Sequence, residues 1–240
     1  MKLNYLGKTL LVEVAGRKIL VVGDLHLGYE ESLNLGGIYI SKKMFDEMIE
    51  EFDKILENAG KIDEIVLLGD VKHEFGRVLR QEWNDVLKLF DYLKKYCRKV
   101  IVIRGNHDKL IDSIISKRDF AYVKDNYCVE SACFLHGDKD FQEIYNKEIK
   151  IWIIGHGHPA IKLSDPKGAK IEKYKCFLEG KYKDKKVIVV PSFFSYNVGS
   201  DPRENDLGII WKIKFDKFKV KIVGENLEVF DFGVLGKLKI

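Results

Sequence analysis

The sequence lacks several features that define specialised classes of protein. Its longest hydrophobic runs, such as residues 65–68 and 151–154, are far shorter than the roughly 20 residues that a membrane-spanning helix needs. The N-terminus has neither a sustained apolar segment nor a small-residue cleavage site. We therefore expect no signal peptide, and a cytoplasmic protein without a membrane partner. Internal repeats, low-complexity tracts and linkers are also missing.

Cysteine is scarce, and the charges are almost balanced. The four cysteines form no CxxC pair and lie in or beside apolar runs, which favours buried reduced thiols over a zinc site or a redox pair; they are Cys97, Cys128, Cys133 and Cys176. The 41 basic and 37 acidic residues are interspersed, so the net charge of +4 permits an anionic substrate without requiring nucleic acid.

Hydrophobic patterning predicts alternating strands and helices in the first part of the chain. Apolar runs at 9–15 and 18–23 predict an opening hairpin, and Ser41 is the expected cap of a helix that stops near Gly60. Further strands are predicted at 64–68, 100–103, 128–135 and 151–154, with helices over 83–96 and 110–115. Residues 28–40 are predicted to form a loop with exposed apolar side chains. The strands and helices together follow a βαβαβ order.

The last third of the chain is predicted to consist mostly of strands. Runs at 175–178, 186–190, 207–215, 219–223 and 227–230 indicate a second sheet, with a turn at residues 216–217.

Five of the predicted strands end in a polar cluster that contains Asp, Asn or His. Ligands of α/β sheets gather beyond the carboxyl ends of the strands, so these clusters should meet at one edge of the fold. The chain has only six histidines, and His73 lies three residues after Asp70. The other five lie inside the clusters: His26, His107, His136, His156 and His158.

Imidazole, carboxylate and amide groups without thiolates are typical of a site for manganese, iron, cobalt, nickel or zinc. Asp70 can bridge two ions, and Asn106 adds a neutral amide oxygen. Two divalent ions would leave the site with a net positive charge, and they would generate hydroxide for attack on phosphorus. The candidate ligands are Asp24, His26, Asp70, Asn106, His136, His156 and His158.

Other polar residues near these clusters are candidates for catalysis or substrate binding. His107 is predicted to be a general acid, with Asp108 accepting its second N–H group. His73 and Arg77 follow Asp70 in a segment that either approaches the substrate or is an ordinary solvated loop. Arg104 contacts the substrate or supports the carboxylates. The aromatic residues 193, 194 and 196 either stack on a base or belong to the core.

The ordered motifs D-x-H, GD, GNHD, H and GHGH resemble those of the calcineurin-like metallophosphoesterase superfamily. They stand at residues 24–26, 69–70, 105–108, 136 and 155–158. The resemblance implies an α/β fold, a four-layer αββα sandwich of two mixed β-sheets flanked by helices. It implies a single domain over 1–240, with the motifs in 24–158 and a strand-rich part, 159–240, that completes the second sheet.

The resemblance also implies how the ligands are divided between two divalent ions, of which manganese is the family's commonest. One ion would be held by Asp24, His26, Asp70 and His158, and the other by Asp70, Asn106, His136 and His156.

Four segments, 24–30, 69–75, 155–159 and 190–193, are similar to the small phosphoesterases related to the SbcD nuclease and to the ligase-associated endonuclease branch. This similarity implies a DNA-repair nuclease or phosphodiesterase that acts on DNA, RNA or nucleotides through a hydroxide bridging two metals. We do not expect the long extra domain with which the large repair nucleases bind DNA and their ATPase partner, nor that style of complex. A phosphomonoesterase or cyclic-nucleotide hydrolase, and an inactive metal-dependent binding scaffold, are the alternatives. A homodimer is compatible with the sequence.

Overall fold

A mixed β-sheet forms the first half of the molecule. The computed structural model describes residues 1–116, 118–165 and 170–238. Among these residues, β1, β2 and β3 pair antiparallel, whereas β3 to β6 pair parallel. The six strands lie in sequence order, namely β1 (Lys2–Leu6), β2 (Thr9–Val14), β3 (Arg17–Val22), β4 (Glu64–Leu67), β5 (Lys99–Ile103) and β6 (Ala121–Lys124).

A second mixed sheet packs against the first. Its strands are β7 (Asn126–Val129), β8 (Ala132–Leu135), β9 (Ile151–Ile154), β10 (Ala160–Ser164), β11 (Ile171–Tyr182), β12 (Lys185–Val189), β13 (Lys219–Val223) and β14 (Val229–Val234). Their order is β14-β13-β11-β12-β9-β8-β7, with β10 beside β11. β9 pairs parallel with both β8 and β12, so these three strands end on the same side.

The helices lie along the outer face of the first sheet. They are α1 (Tyr29–Leu35), α2 (Met44–Ala59), α3 (Arg80–Leu93) and α4 (Ile111–Ile115). The outer face of the second sheet is covered by 3-10 turns at Gln142–Tyr145, Phe215–Lys217 and Leu235–Lys237 and by the extended segment 207–214. No helix in the described part of the chain is long and apolar enough to cross a bilayer.

The alternation of side chains along each strand builds two layers of core. In β4, Ile65 and Leu67 contact the helices, whereas Val66 and the following Leu68 point between the sheets. In α2, apolar residues at helical spacing, such as Met48 and Phe52, face the first sheet. The predicted α/β fold with two mixed sheets is therefore confirmed.

Two predicted helices have wrong boundaries. The N-cap of α2 is Lys43 and not Ser41, and the first N–H groups of this helix are bound by the carboxylate of Glu30. A glutamate from α1 thus supplies the acceptor that a local serine was expected to provide. α3 begins at Arg80 and ends at Leu93, three residues earlier at each end than predicted.

Three segments differ in type from their prediction. Residues 29–35 form helix α1 within the predicted loop, and 128–135 is not one strand but the hairpin of β7 and β8. The segment 207–214 forms no strand, although Leu207, Ile209 and Trp211 alternate as in a strand. These three side chains pack on the outer face of the second sheet, but the segment that carries them pairs with no described strand. The alternation there therefore reflects burial of side chains and not hydrogen bonding between strands.

The hairpin also changes the prediction for two cysteines. Cys128 and Cys133 are directly opposite each other in β7 and β8, and a disulfide joins them across a Cα–Cα distance of 4.0 Å. Their predicted reduced state is wrong because the sequence did not reveal the turn that brings them together. Cys97 and Cys176 are free and buried, as predicted.

Phe52 connects α2 to the segment that follows β12. Its side chain has 0% exposure, and its ring stacks on Phe193 at a centroid distance of 4.5 Å. We expect Phe52→Ala to lower the free energy of unfolding by about 3–5 kcal/mol, because it leaves a cavity in the core. Phe230→Ala, at a position with 47% exposure, is the matched control and should change it by about 0.5 kcal/mol. Urea titrations of both variants measure the difference, and similar values would contradict the packing role of Phe52.

Candidate metal centre

The polar ends of five strands meet along one edge of the two packed sheets. Parallel pairing aligns β3, β4 and β5 in the first sheet and β8 and β9 in the second. Backbone hydrogen bonds then join the connecting loops, since the N–H of His26 donates to the carbonyl of Asp70 at 2.9 Å. The polar clusters are distant in sequence but lie together in the structure, as their positions at the ends of the predicted strands indicated.

Two groups of predicted ligands each place their ligand atoms within 4.8 Å of one another. The first group consists of Asp24, His26 and His158, with Nε2 of His158 at 3.3 Å from Oδ1 of Asp24. The first two of these side chains are buried and the third is partly exposed. Nδ1 of His26 is buried and has no hydrogen-bond partner among the described residues, so it fits a metal ligand better than a structural histidine.

The second group consists of Asp70, His136 and His156. Nε2 of His136 lies 3.5 Å from Oδ2 of Asp70 and 3.0 Å from Nδ1 of His156. The amide oxygen Oδ1 of Asn106 is also 3.0 Å from this nitrogen. Four nitrogen and oxygen ligand atoms thus lie close together, and they are the donor set of a divalent transition metal.

His73 joins the site through a third group, with His26 and His107. The ring centroids of His26 and His73 are 5.4 Å apart, and Nδ1 of His73 is buried without a hydrogen-bond partner in the described chain. The sequence marked His73 only as a candidate for substrate contact. The structure places it beside His26 and His107, within the imidazole cluster.

Four predicted ligands have backbone in the left-handed region, which is uncommon outside glycine. The φ angles are 50° at His26, 47° at Asp70, 62° at His156 and 41° at His158. Such a conformation costs about 1–3 kcal/mol at each residue and persists where the surroundings impose it. It turns each side chain out of the strand direction and into the shared site.

The buried carboxylates are held in their charged form by the surrounding imidazoles. Burial by itself would raise the pKa of Asp24, but His158 and His136 lower it far below its ordinary value. The pKa of Asp70 is likewise lowered, because the hydrogen bond and charge of His136 outweigh burial. The metal-free site therefore presents two carboxylates that attract cations.

The imidazoles differ in their readiness to bind a cation. Burial lowers the pKa of His26 to about 3, so this ring is neutral at pH 7 and free to coordinate. Burial would also lower the pKa of His136, but Asp70 and Asp24 raise it to about 10. Metal binding at His136 must therefore displace a proton from the ring.

The predicted hydrogen bond between His107 and Asp108 is wrong. Nδ1 of His107 contacts the backbone carbonyl of His73 instead. The Asp108 carboxylate has 0% exposure and accepts backbone N–H groups of Gly105 and Val71, both at 3.1 Å. Burial, together with the charge of Asp70, raises the pKa of Asp108 to about 7. Asp108 therefore holds the loops together, and a carbonyl orients the imidazole.

The two predicted substrate-binding arginines make surface ion pairs. Arg77 pairs with Glu74 at 3.1 Å. Arg104 binds Asp112 through two hydrogen bonds and approaches Asp125 at 3.4 Å. In the described part of the chain, the ion pairs of both arginines are with exposed or peripheral carboxylates and not with the ligand cluster.

Residues that anchor the loops around the site were missed by the sequence analysis. Glu82, which is fully buried, accepts the backbone N–H groups of His73 and Leu79 at 2.9 and 2.7 Å. Lys8 donates to the carbonyl of Phe193 at 2.9 Å, and Lys175 to that of Asn197 at 2.8 Å. A glutamate at the start of a helix is a recognisable capping pattern, but no local pattern marks the two lysines.

Comparison with known proteins places this geometry in a family. The family model described as calcineurin-like phosphoesterase matches residues 17–223. The chain belongs to the calcineurin-like phosphoesterase family. It is accordingly a metal-dependent phosphoesterase. The matched region runs from β3 to β13, so it includes all the ligand groups and every strand except β1, β2 and β14.

A solved structure has the same fold. The nuclease MPE of Pseudomonas putida is 18% identical, with a TM-score of 0.58, and the match covers 93% of this chain and 100% of that one. Vps29 from Entamoeba histolytica, in complex with zinc, is 14% identical with a TM-score of 0.36, over 90% of this chain and 99% of that one. A search of curated proteins found no match.

Gly105 permits the close approach of two phosphoesterase motifs. A Cβ atom at this position would lie 2.2 Å from Oδ1 and 2.4 Å from the backbone nitrogen of Asp70. We expect Gly105→Ala to displace Asp70, to reduce bound divalent metal and to cost about 1–3 kcal/mol of stability. Gly76→Ala, where a Cβ would meet nothing within 4 Å, is the control. Elemental analysis after loading and desalting measures the metal, and full occupancy in Gly105→Ala would contradict this packing.

Lys175 should make stability depend on pH. Burial, with the charge of Lys8, lowers the pKa of Lys175 to about 7 from 10.5. Between these values the unfolded chain binds a proton that the folded protein lacks, so Lys175 contributes a rise in the free energy of unfolding of up to about 1.4 kcal/mol per pH unit. The raised pKa of His136 contributes a slope of the opposite sign, so the quantity to compare is the difference between the curves with and without Lys175. We expect Lys175→Met to lose this rise and the exposed control Lys181→Met to keep it. Urea titrations between about pH 7 and pH 9 test it, and parallel curves for all three proteins would refute it.

Proposed function

We propose that this phosphoesterase hydrolyses phosphodiester bonds, in nucleic acid or nucleotides, with two divalent ions at the site, manganese being the expected metal. The observation that carries the proposal is the arrangement of two ligand groups side by side. Next to them lies His107, whose ring is oriented by a backbone carbonyl and not by either group. The pairing of the groups agrees with the ligand sets that the family resemblance implied.

The residues present fit two ions. Asp24, His26 and His158 would hold one ion, and His136, His156 and Asn106 the other, with Asp70 between them. When bound, such a pair of ions supplies a hydroxide nucleophile at neutral pH and neutralises the charge that develops on the phosphoryl oxygens. Their positive charge also draws a phosphate to this edge of the sheets.

His107 is the residue that we assign to protonation of the leaving group. Because its Nδ1 faces a carbonyl, this nitrogen carries hydrogen and the ring orientation is set. Nε2 then points towards the ligand cluster, at 3.8 Å from Oδ2 of Asp70. In the protonated ring, Nε2 can donate to the leaving oxygen of a phosphodiester bound there.

Two observations favour a nucleic-acid or nucleotide substrate. The nuclease MPE has the same fold over nearly the whole chain. The segments 24–30 and 69–75 are similar to those of the SbcD-related phosphoesterases. Both support a role close to that of a repair nuclease.

The test is manganese-dependent hydrolysis of bis(p-nitrophenyl) phosphate, p-nitrophenyl phosphate and a single-stranded oligonucleotide. We expect diester cleavage that a chelator abolishes. His107→Ala should retain its metal and lose roughly 10²-fold or more on the oligonucleotide, but less on the p-nitrophenyl diester, whose leaving group needs no proton. Asp70→Ala should lose metal as well. Lys109→Ala, at an exposed position beside the motif, is the control.

Three results would count against the proposal. Faster hydrolysis of the monoester than of either diester would indicate a phosphatase. An equal loss of metal in His107→Ala and Asp70→Ala would remove the distinction between general acid and ligand. An equal loss of rate by His107→Ala on both diesters would show that the imidazole does not protonate the leaving group.

A further inference from the structure

A line of aromatic rings crosses the candidate site from one side to the other. Phe75 lies against His107 with a centroid distance of 3.6 Å, and His107 is 4.9 Å from His26. His26 is followed by Phe194 at 5.4 Å, and Phe194 by Tyr196 at 6.2 Å and a nearly parallel angle of 24°. We call these five side chains the ring line.

The two ends of the ring line are exposed, whereas its middle is buried. Phe75 is 50% exposed and Tyr196 43%, but Phe194 is only 5% exposed and His26 only 6%. A buried aromatic row is ordinary core packing, but one that opens to solvent at both ends beside a proposed metal pair offers two contact surfaces. These surfaces flank the position of the reacting phosphate.

We propose that Phe75 and Tyr196 stack on the bases of the two nucleotides that flank the scissile phosphate of a single-stranded nucleic acid. The inference rests on the proposed function, because the phosphate between the two bases is the one bound at the metal centre. The positive charge that two bound ions would supply, with a flat apolar surface on each side of it, matches the order base, phosphate, base along a nucleotide chain.

The loop that carries Phe194 and Tyr196 is held in place before any ligand binds. The N–H of Phe194 donates to the carbonyl of Asp24 at 3.0 Å, so the loop is attached to a proposed metal ligand. Lys8 and Lys175 bind two further carbonyls of this loop, as described above. A stacking surface that is already ordered loses little conformational entropy when a base binds.

The loop that carries Phe75 is anchored in the same way from the opposite side. Glu82 accepts three backbone N–H groups of the segment 73–79. Nζ of the fully buried Lys72 donates to the carbonyl of Arg77 at 3.2 Å. Phe75 therefore stands on a fixed turn between these anchors, and its contact with His107 links base binding to the general acid.

Stacking on two exposed rings at once favours a single strand over a duplex. Bases in a duplex have both faces occupied by their neighbours, so stacking on Phe75 and Tyr196 together requires bases that have been unstacked. A mononucleotide could use only one of the two rings. The expected ligand is therefore a strand with at least one nucleotide on each side of the phosphate.

The experiment measures binding of a short labelled single-stranded DNA oligonucleotide with phosphorothioate linkages, which resist cleavage, to the manganese-loaded protein with His107 in place. We compare Phe75→Leu and Tyr196→Leu with Phe230→Leu and Tyr122→Leu, two controls of 47% exposure on strands β14 and β6. Each ring deletion should weaken binding by about 5- to 150-fold, and the controls should not. Phe75→Trp and Tyr196→Phe should retain affinity.

An abasic strand of the same length separates stacking from general damage to the site. It should bind the parent protein more weakly than the normal strand, and the ring deletions should not weaken it further. Equal losses on both strands, equal losses in the controls, or no oligonucleotide binding by the parent protein would overturn the proposal.

The failure of this inference differs from that of the proposed function. Hydrolysis of bis(p-nitrophenyl) phosphate with unaltered strand binding in both ring deletions would leave the phosphodiesterase standing and remove the stacking role. Base-dependent binding without hydrolysis of any diester would support the stacking role and remove the phosphodiesterase activity.

Discussion

Two buried carboxylates are the constraint around which this protein is organised. Asp24 and Asp70 are 0% and 2% exposed, yet the neighbouring imidazoles keep both ionised. Removing a carboxylate from water is costly unless its charge is met by hydrogen bonds, opposite charge or metal. The strand ends, the left-handed backbone at four ligands and the close approach of Gly105 all serve to bring those compensating groups into reach.

The same constraint explains how the chemistry is divided among the loops. The sequence predicted that Asp108 would bind His107, but its carboxylate accepts backbone N–H groups instead. A carbonyl from the loop after β4 orients the imidazole of His107. That loop is itself held by Glu82. Orientation of the proposed general acid thus depends on a chain of contacts that begins outside the ligand set, and the exposed rings stand on the same anchored loops.

The family's fold accommodates considerable divergence around this centre. The nuclease MPE shares the fold at 18% identity. The second sheet here is covered by 3-10 turns and an extended segment, which bury Trp211 and its neighbours without forming a helix. All the proposed ligands lie within 24–158, but the loop after β12 adds Phe194 and Tyr196 to the site. The strand-rich part therefore shapes the surroundings of a centre that the first part provides.

The sequence by itself determined where the five strands that carry the proposed ligands end, the order of the polar clusters at those ends and the identity of the ligand-type residues. Period-two hydrophobic runs and their polar ends are local patterns, and the parallel arrangement they predict places those ends together. Only the tertiary structure decided that a carbonyl orients His107, that Phe75 covers it and that Lys8 and Lys175 anchor the loop of Phe194. These contacts join segments far apart in the chain, and they depend on how the two sheets pack, which no local pattern encodes.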